Sequence, residues 1–209
     1  MDGERDFTGT RMPEDQGRFT DDAAALAAFN EYMKAQDLRA NPLLAEGSDW
    51  RGVQAPGAFL QFIKIPRSDL RGANLRNAEL RRADLTESQL QGSDLGGVNL
   101  MVSNLQRADL SDCFMRGVDL YEAGLAGASF QRSDMSNAYF MRLNFKEADI
   151  TDTTMFMAQF YRADLRGAIG LETVKDLGTA RFHRLGVTDS ELQIIQDAMR
   201  SGPMFDVSA

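Results

Sequence analysis

From Leu70 to Leu165 a large apolar side chain falls at every fifth position without a break. Successive units read Ser68-Asp69-Leu70-Arg71-Gly72, Ala73-Asn74-Leu75-Arg76-Asn77, Ala78-Glu79-Leu80-Arg81-Arg82 and Ala83-Asp84-Leu85-Thr86-Glu87. The pattern is small, polar, large apolar, then two variable residues. The large residue is Leu, Phe, Met or Ile each time, and the residue two before it is small nearly throughout, Leu143 being the bulky departure. The register reaches back through Ile65 and Leu60 to Ser48-Asp49-Trp50-Arg51-Gly52, weakened only at Ala55, and gives 24 units from Trp50 to Leu165 with no insertion.

A period of five fits neither the 3.6 of a helix nor the 2 of a long strand. Within a unit the small and large residues stand two apart, so an extended segment turns both to one side and the intervening Asp or Asn to the other. The next two residues, often Gly, Asn, Asp or Arg, are types that turn a chain. A chain that runs three residues and bends, always in the same sense, must coil, with its large residues stacked inside and its small ones between them.

These units resemble the pentapeptide-repeat family, whose loose signature is Ala-(Asp/Asn)-Leu-X-X. The resemblance covers residues 48–169 and implies an all-β solenoid, a right-handed quadrilateral β-helix with four units to a coil. About six coils at strand spacing would make a rod roughly 29 Å long.

The flanks read differently. Residues 1–47 form a polar N-terminal segment in which Thr20-Asp21-Asp22 precedes a capped amphipathic helix over 23–36, ended near Asn41-Pro42. Residues 170–209 form a C-terminal segment with a short helical turn over 171–177. There Thr188-Asp189-Ser190-Glu191 is a capping box opening a helix near 189–200, stopped by Gly202-Pro203. A solenoid exposes core and strand edges at its open ends, so covering them is the default role of both helices; the resemblance adds C-terminal dimerisation as the other use.

The chain is acidic, with 31 Asp and Glu against 23 Lys and Arg, which argues against direct nucleic-acid binding. Residues 67–169, by contrast, hold 14 acids and 12 bases, close to balance. No apolar run approaches the length of a membrane span, about 18 residues. Met1-Asp2-Gly3-Glu4-Arg5-Asp6 lacks the basic flank of a secretory signal. With one cysteine, a cytoplasmic protein is the expectation, or one of an organelle or thylakoid lumen after removal of a targeting peptide.

Chemistry-bearing residues are sparse. His183 is the sole histidine and lies beyond the unbroken repeats. Cys113 holds an inward small position, where a buried, inert thiol is expected. Asp109, Asp112, Asp149 and Asp152 recur on one side two coils apart, but interleaved Gln and Ser read as a solvated face rather than a cation site. No catalytic, cofactor-binding or metal-binding residue is expected.

With four units to a coil, residues twenty apart stack on one face. The units centred on Leu60, Leu80, Leu100, Leu120, Phe140 and Phe160 then gather Phe59, Phe62, Met101, Val102, Tyr121, Tyr139, Met141 and Tyr161, with Arg142 and Arg162 beside them. The other faces are mainly polar, apart from Phe114, Phe156 and Met157 on the adjoining one. An apolar strip of this kind is rarely bare on a soluble monomer, and Tyr, Met and Arg are enriched at interfaces. The expectation is a non-catalytic scaffold that binds protein, or itself, through this face; the plainer reading is that a terminal segment of the chain covers it. The resemblance supplies an alternative, since some family members mimic DNA, bind DNA gyrase and protect it from inhibitors. Mimicry needs a dense negative surface, and here the acids of the repeats are offset by bases, with Arg71, Arg76, Arg81 and Arg82 clustered at one end.

Overall fold

The computed structural model describes residues 39, 43–44 and 46–201; the helix expected over 23–36 lies outside them. From Leu44 to Asp149, each unit pairs in parallel with the unit twenty residues later. One chain of bridges, Leu44–Lys64–Asp84–Asn104–Gly124–Asn144–Asp164–Gly186, threads one face from end to end. Four units therefore complete one coil, and the molecule is a β-helix solenoid.

The turn and the ladder explain why five residues suffice. Inside a unit the apolar centre's carbonyl accepts from the next small residue's N–H, as in Ala83 N to Leu80 O at 3.0 Å. The fifth residue stands at positive φ, for example Arg82 at 60°, Asn77 at 57° and Gly72 at 67°. A positive φ at the third residue of a β-turn is the type II pattern, and it favours Gly or Asn there. Between coils the centre's N–H donates forward, Leu80 N to Asn99 O at 2.9 Å, and the polar residue's N–H donates back, Asn99 N to Ala78 O at 3.0 Å. Backbone groups that a three-residue strand would leave unpaired are thereby satisfied.

The interior is a column of centres, all essentially buried from Leu60 to Leu165. Early coils are filled by Leu. Toward the C-terminus Phe takes over, with Phe140 and Phe160 at 4.8 Å between ring centroids, Phe145 edge-on to Phe140 at 5.4 Å, and Phe182 stacked on Phe160 at 5.1 Å. Buried hydroxyls at small positions bond to carbonyls, Ser93 Oγ to Leu70 O at 2.8 Å and Ser133 Oγ to Leu110 O at 2.6 Å, so burial leaves them satisfied.

The coil does not stop where the unbroken period does, at residue 169. Thr154 pairs with Lys175, twenty-one residues on, and Asp164 with Gly186, twenty-two on. The added residues are taken up around two single 3₁₀ turns, Leu171–Thr173 and Leu177–Thr179. Three short parallel strands, β1 (Tyr139–Met141), β2 (Gln159–Tyr161) and β3 (Arg181–His183), form a sheet in that order. Helix α1 (Asp189–Ser201) follows. Its start is fixed by Thr188 and Glu191: Thr188 N donates to Glu191 Oε2 at 2.7 Å, and Glu191 Oε1 also accepts from Gly167 N at 3.1 Å, tying the helix to the last regular coil. Ile195 is buried beneath it.

Candidate interaction face

The sheet β1-β2-β3 lies on the face that carries the tyrosines. Its register sets Met141 beside Tyr161 and Tyr161 beside His183. Coils about 4.8 Å apart shield one another's flanks, so stacked side chains on this face keep only their outer edges in water. Accordingly Phe59, Phe62, Met101, Tyr121, Met141 and Tyr161 are half-buried, while Val102, Tyr139, Arg142 and Arg162 are exposed.

Guanidinium groups brace the rings. Arg162 lies over the Tyr161 ring at 5.6 Å and Arg82 over Phe62 at 5.6 Å, both in cation–π range. Arg142 donates to Tyr121 Oη at 3.4 Å and pairs with Glu122 at 3.0 Å. Tyr161 stacks on His183, and between them and Met141, Phe160, Arg181 and Phe182 lies a shallow hollow of about 200 Å³.

Phe182 and His183 escape a reading in strict steps of five, because the coil has gained two residues by the time it returns to this face. The signal is nonetheless present: Ala180-Arg181-Phe182-His183-Arg184 keeps the small, polar, large order, shifted in phase.

The remaining faces carry polar ladders, interrupted by the exposed Phe114, Met157 and Ile169. Asp109 accepts from Ser111 Oγ at 2.7 Å and Gln91 Nε2 at 2.7 Å, and Asp149 accepts from Gln131 Nε2 at 2.6 Å. Asp112 forms two bonds to Arg132, both 2.7 Å, which hold its carboxyl below the usual range. Three of the four aspartates thus bond through their side chains to neighbours in the fold, Asp152 bonding through its backbone N–H to Thr173 Oγ1 at 2.7 Å, and among the described residues no group of His, Cys, Asp or Glu is arranged to hold a metal ion. Cys113 is buried, donates to Leu90 O at 3.0 Å, and has its pKa pushed up to about 12 by desolvation.

Residues 63–140 match the family described as pentapeptide repeat region. No curated protein sequence matches the chain. Among solved structures, a pentapeptide repeat protein from Nostoc Pcc 7120 is similar at 25% identity, over 50% of this chain and 84% of its own, with a TM-score of 0.41. One from the Arabidopsis thaliana thylakoid lumen is similar at 23% identity, over 51% of this chain and 68% of its own, with a TM-score of 0.35. QnrB1, a plasmid-mediated fluoroquinolone resistance protein, is similar at 14% identity, over 77% of this chain and 90% of its own, with a TM-score of 0.37.

Proposed function

The chain belongs to the pentapeptide-repeat family, and from that premise we propose that it is a non-catalytic scaffold whose Tyr/Met/Arg face binds a protein partner. The observation that carries this reading is the sheet β1-β2-β3, which holds Tyr139, Met141, Tyr161 and His183 in register on one side of the rod, while the other faces are mainly polar apart from the exposed Phe114, Met157 and Ile169. Rigid rings fixed by backbone pairing lose little side-chain freedom on binding, and such residues dominate interface energetics. Six coils over residues 48–169, with α1 closing the C-terminal end, would make the rod rigid enough to present them.

The gyrase-binding DNA mimic is the less favoured alternative. Acids spread along the repeats are held by arginines, Asp69 by Arg71 at 2.6 Å, Asp134 by Arg116 at 2.9 Å and Asp164 by Arg166 at 2.5 Å, which breaks up a continuous negative surface. Among the described residues no helix is long and apolar enough to cross a membrane, and a cytoplasmic or lumenal home is the proposed setting.

The test is recovery of proteins from native lysate on wild-type chain and on the Tyr121→Arg/Met141→Arg variant, with thermal melting of both. A protein held by wild type and lost by a folded variant is the expected result. Equal recoveries would remove the face from the argument and send attention to gyrase.

A further inference from the structure

Arginines across residues 46–201 divide by face, with Arg142 the one exception. Away from the tyrosine face each one has a carboxylate within 4.0 Å: Arg51 and Arg71 on Asp49 and Asp69, Arg67 on Glu46, Arg76 on Asp94, Arg107 on Glu87, Arg116 on Asp134, Arg132 on Asp112, Arg166 on Asp164 and Arg200 on Asp197. On the tyrosine face Arg142 is paired with Glu122. The arginines with no carboxylate of a described residue in range are Arg81, Arg82, Arg162, Arg181 and Arg184, all exposed and all on that face.

The acids that share the face are already engaged. Glu79 accepts from Asn99 Nδ2 at 3.0 Å, Asp119 accepts from Tyr121 N at 3.0 Å, and Glu122 holds Arg142. Among the described residues, the guanidinium groups with no carboxylate in range therefore all lie on the face that carries the tyrosines. Arg82 over Phe62 and Arg162 over Tyr161, each 5.6 Å from the ring centroid, have no carboxylate of a described residue in range, and a guanidinium is the side chain best suited to grip a carboxylate with two N–H groups.

We infer that the partner of this face is an acidic polypeptide segment in which Asp or Glu alternates with apolar side chains. Its carboxylates meet Arg81, Arg82, Arg162, Arg181 and Arg184, and an apolar side chain enters the hollow formed by Met141, Tyr161 and Phe182. This rests on the protein-binding reading above and specifies the partner's chemistry. Charge complementarity selects a short segment over a nucleic acid: the five arginines make a local basic strip, whereas residues 67–169 as a whole are near balance, 14 acids against 12 bases, and offer no extended basic footprint to a continuous polyanion.

The experiment selects a random-peptide display library on the full chain, with counter-selection on an Arg162→Glu/Arg184→Glu variant shown to melt like wild type. Enriched peptides should carry Asp or Glu among aromatic or aliphatic residues. They should lose about tenfold in affinity on Arg162→Glu/Arg184→Glu, weaken with added salt, and be indifferent to Arg116→Gln on another face. Enrichment of neutral or basic peptides that still require Tyr121 and Met141 would overturn the acidic partner and leave the protein-binding reading standing. Peptides indifferent to both variants, or no enrichment at all, would overturn the acidic partner and count against the face itself. Tighter binding of oligothymidylate than of any selected peptide would overturn it in favour of nucleic acid.

Discussion

Tyr161 and His183 stack face to face, ring centroids 4.9 Å apart and planes 3° from parallel. They are twenty-two residues apart, not twenty, so the contact exists only because β3 returns to register after the two 3₁₀ turns. A stacked pair of this kind is worth about 0.5–1.5 kcal/mol beyond burial, toward the low end where, as at His183, the ring is exposed. A double-mutant cycle of Tyr161→Ala and His183→Ala, followed by urea unfolding, should return a coupling near about 0.5 kcal/mol. Full additivity would show that the sheet, and not the rings, sets their geometry.

Gly178 is the point where α1 meets the coil. A Cβ there would stand 2.2 Å from Ala198 O and 2.8 Å from Ala198 C, both backbone atoms that cannot rotate away. Gly178→Ala must push the helix off, uncovering Ile195 and Leu177, and overpacking of this sort costs about 1–3 kcal/mol. Hydrogen exchange should show amides of 189–201 losing protection while those of the central coils keep theirs. Gly52, with nothing within 4 Å of its would-be Cβ, is the control: Gly52→Ala meets only the cost of a positive φ and leaves α1 protected.

How much of this was open to reading in the sequence depends on where the period holds. From Trp50 to Leu165 one residue type in five fixes the coil, because every unit repeats the same turn and the same ladder. Beyond Leu165 the capping box at Thr188 announces its own helix, since Thr188 and Glu191 are close in sequence. The Phe182–Phe160 stack is hidden, because the extra residues around Gly170 and Asp176 shift the phase. The arginine partners are hidden too. Arg116 reaches Asp134, eighteen residues on, while Arg132 reaches Asp112, twenty back, and only the coil geometry decides which acid lies within reach. What distinguishes Arg81 from Arg76 is therefore not a property of the sequence around either.

Cys113 sits between Ser93 and Ser133 in a column of small buried residues, and each donates to a carbonyl twenty-three residues back. Cys113→Ser should preserve that bond and leave the melting temperature within about a degree, because the site already suits hydroxyls in the coils on either side. With its pKa pushed up to about 12, the native thiol should react with a disulfide reagent at pH 8 only as fast as the protein unfolds. Rapid labelling of the folded chain would mean that the column opens.

Asp164 and Asp69 are held below the ordinary carboxylate range, chiefly by hydrogen bonds from Arg166 and Arg71. A carboxyl whose folded pKa is depressed contributes stability that is present above its unfolded pKa and lost as pH falls through the folded one. Arg166→Gln should consequently melt below wild type near neutral pH, by a small margin because the pair is exposed, and the two curves should converge in acid as Asp164 takes its proton. A gap that persists unchanged at low pH would assign the effect to lost packing of the arginine stem.

Val102 combines two costs. It is exposed, and it is a β-branched residue at φ 60°, a region such side chains rarely adopt. The equivalent turn position elsewhere is often glycine, as at Gly72, Gly92 and Gly117, where φ is 67–69°. Releasing strain of about 1–3 kcal/mol, less the roughly 1 kcal/mol of unfolded-state freedom that glycine adds, should make Val102→Gly more stable by about 1 kcal/mol. An apolar, strained side chain on the face proposed to bind protein then has a use that stability does not explain. The same variant should bind peptides selected on the wild-type chain more weakly even as its melting temperature rises, the opposition expected where stability is given up for function. A variant that is both more stable and equally tight would place Val102 outside the contact and confine the binding surface to the coils from Tyr121 onward.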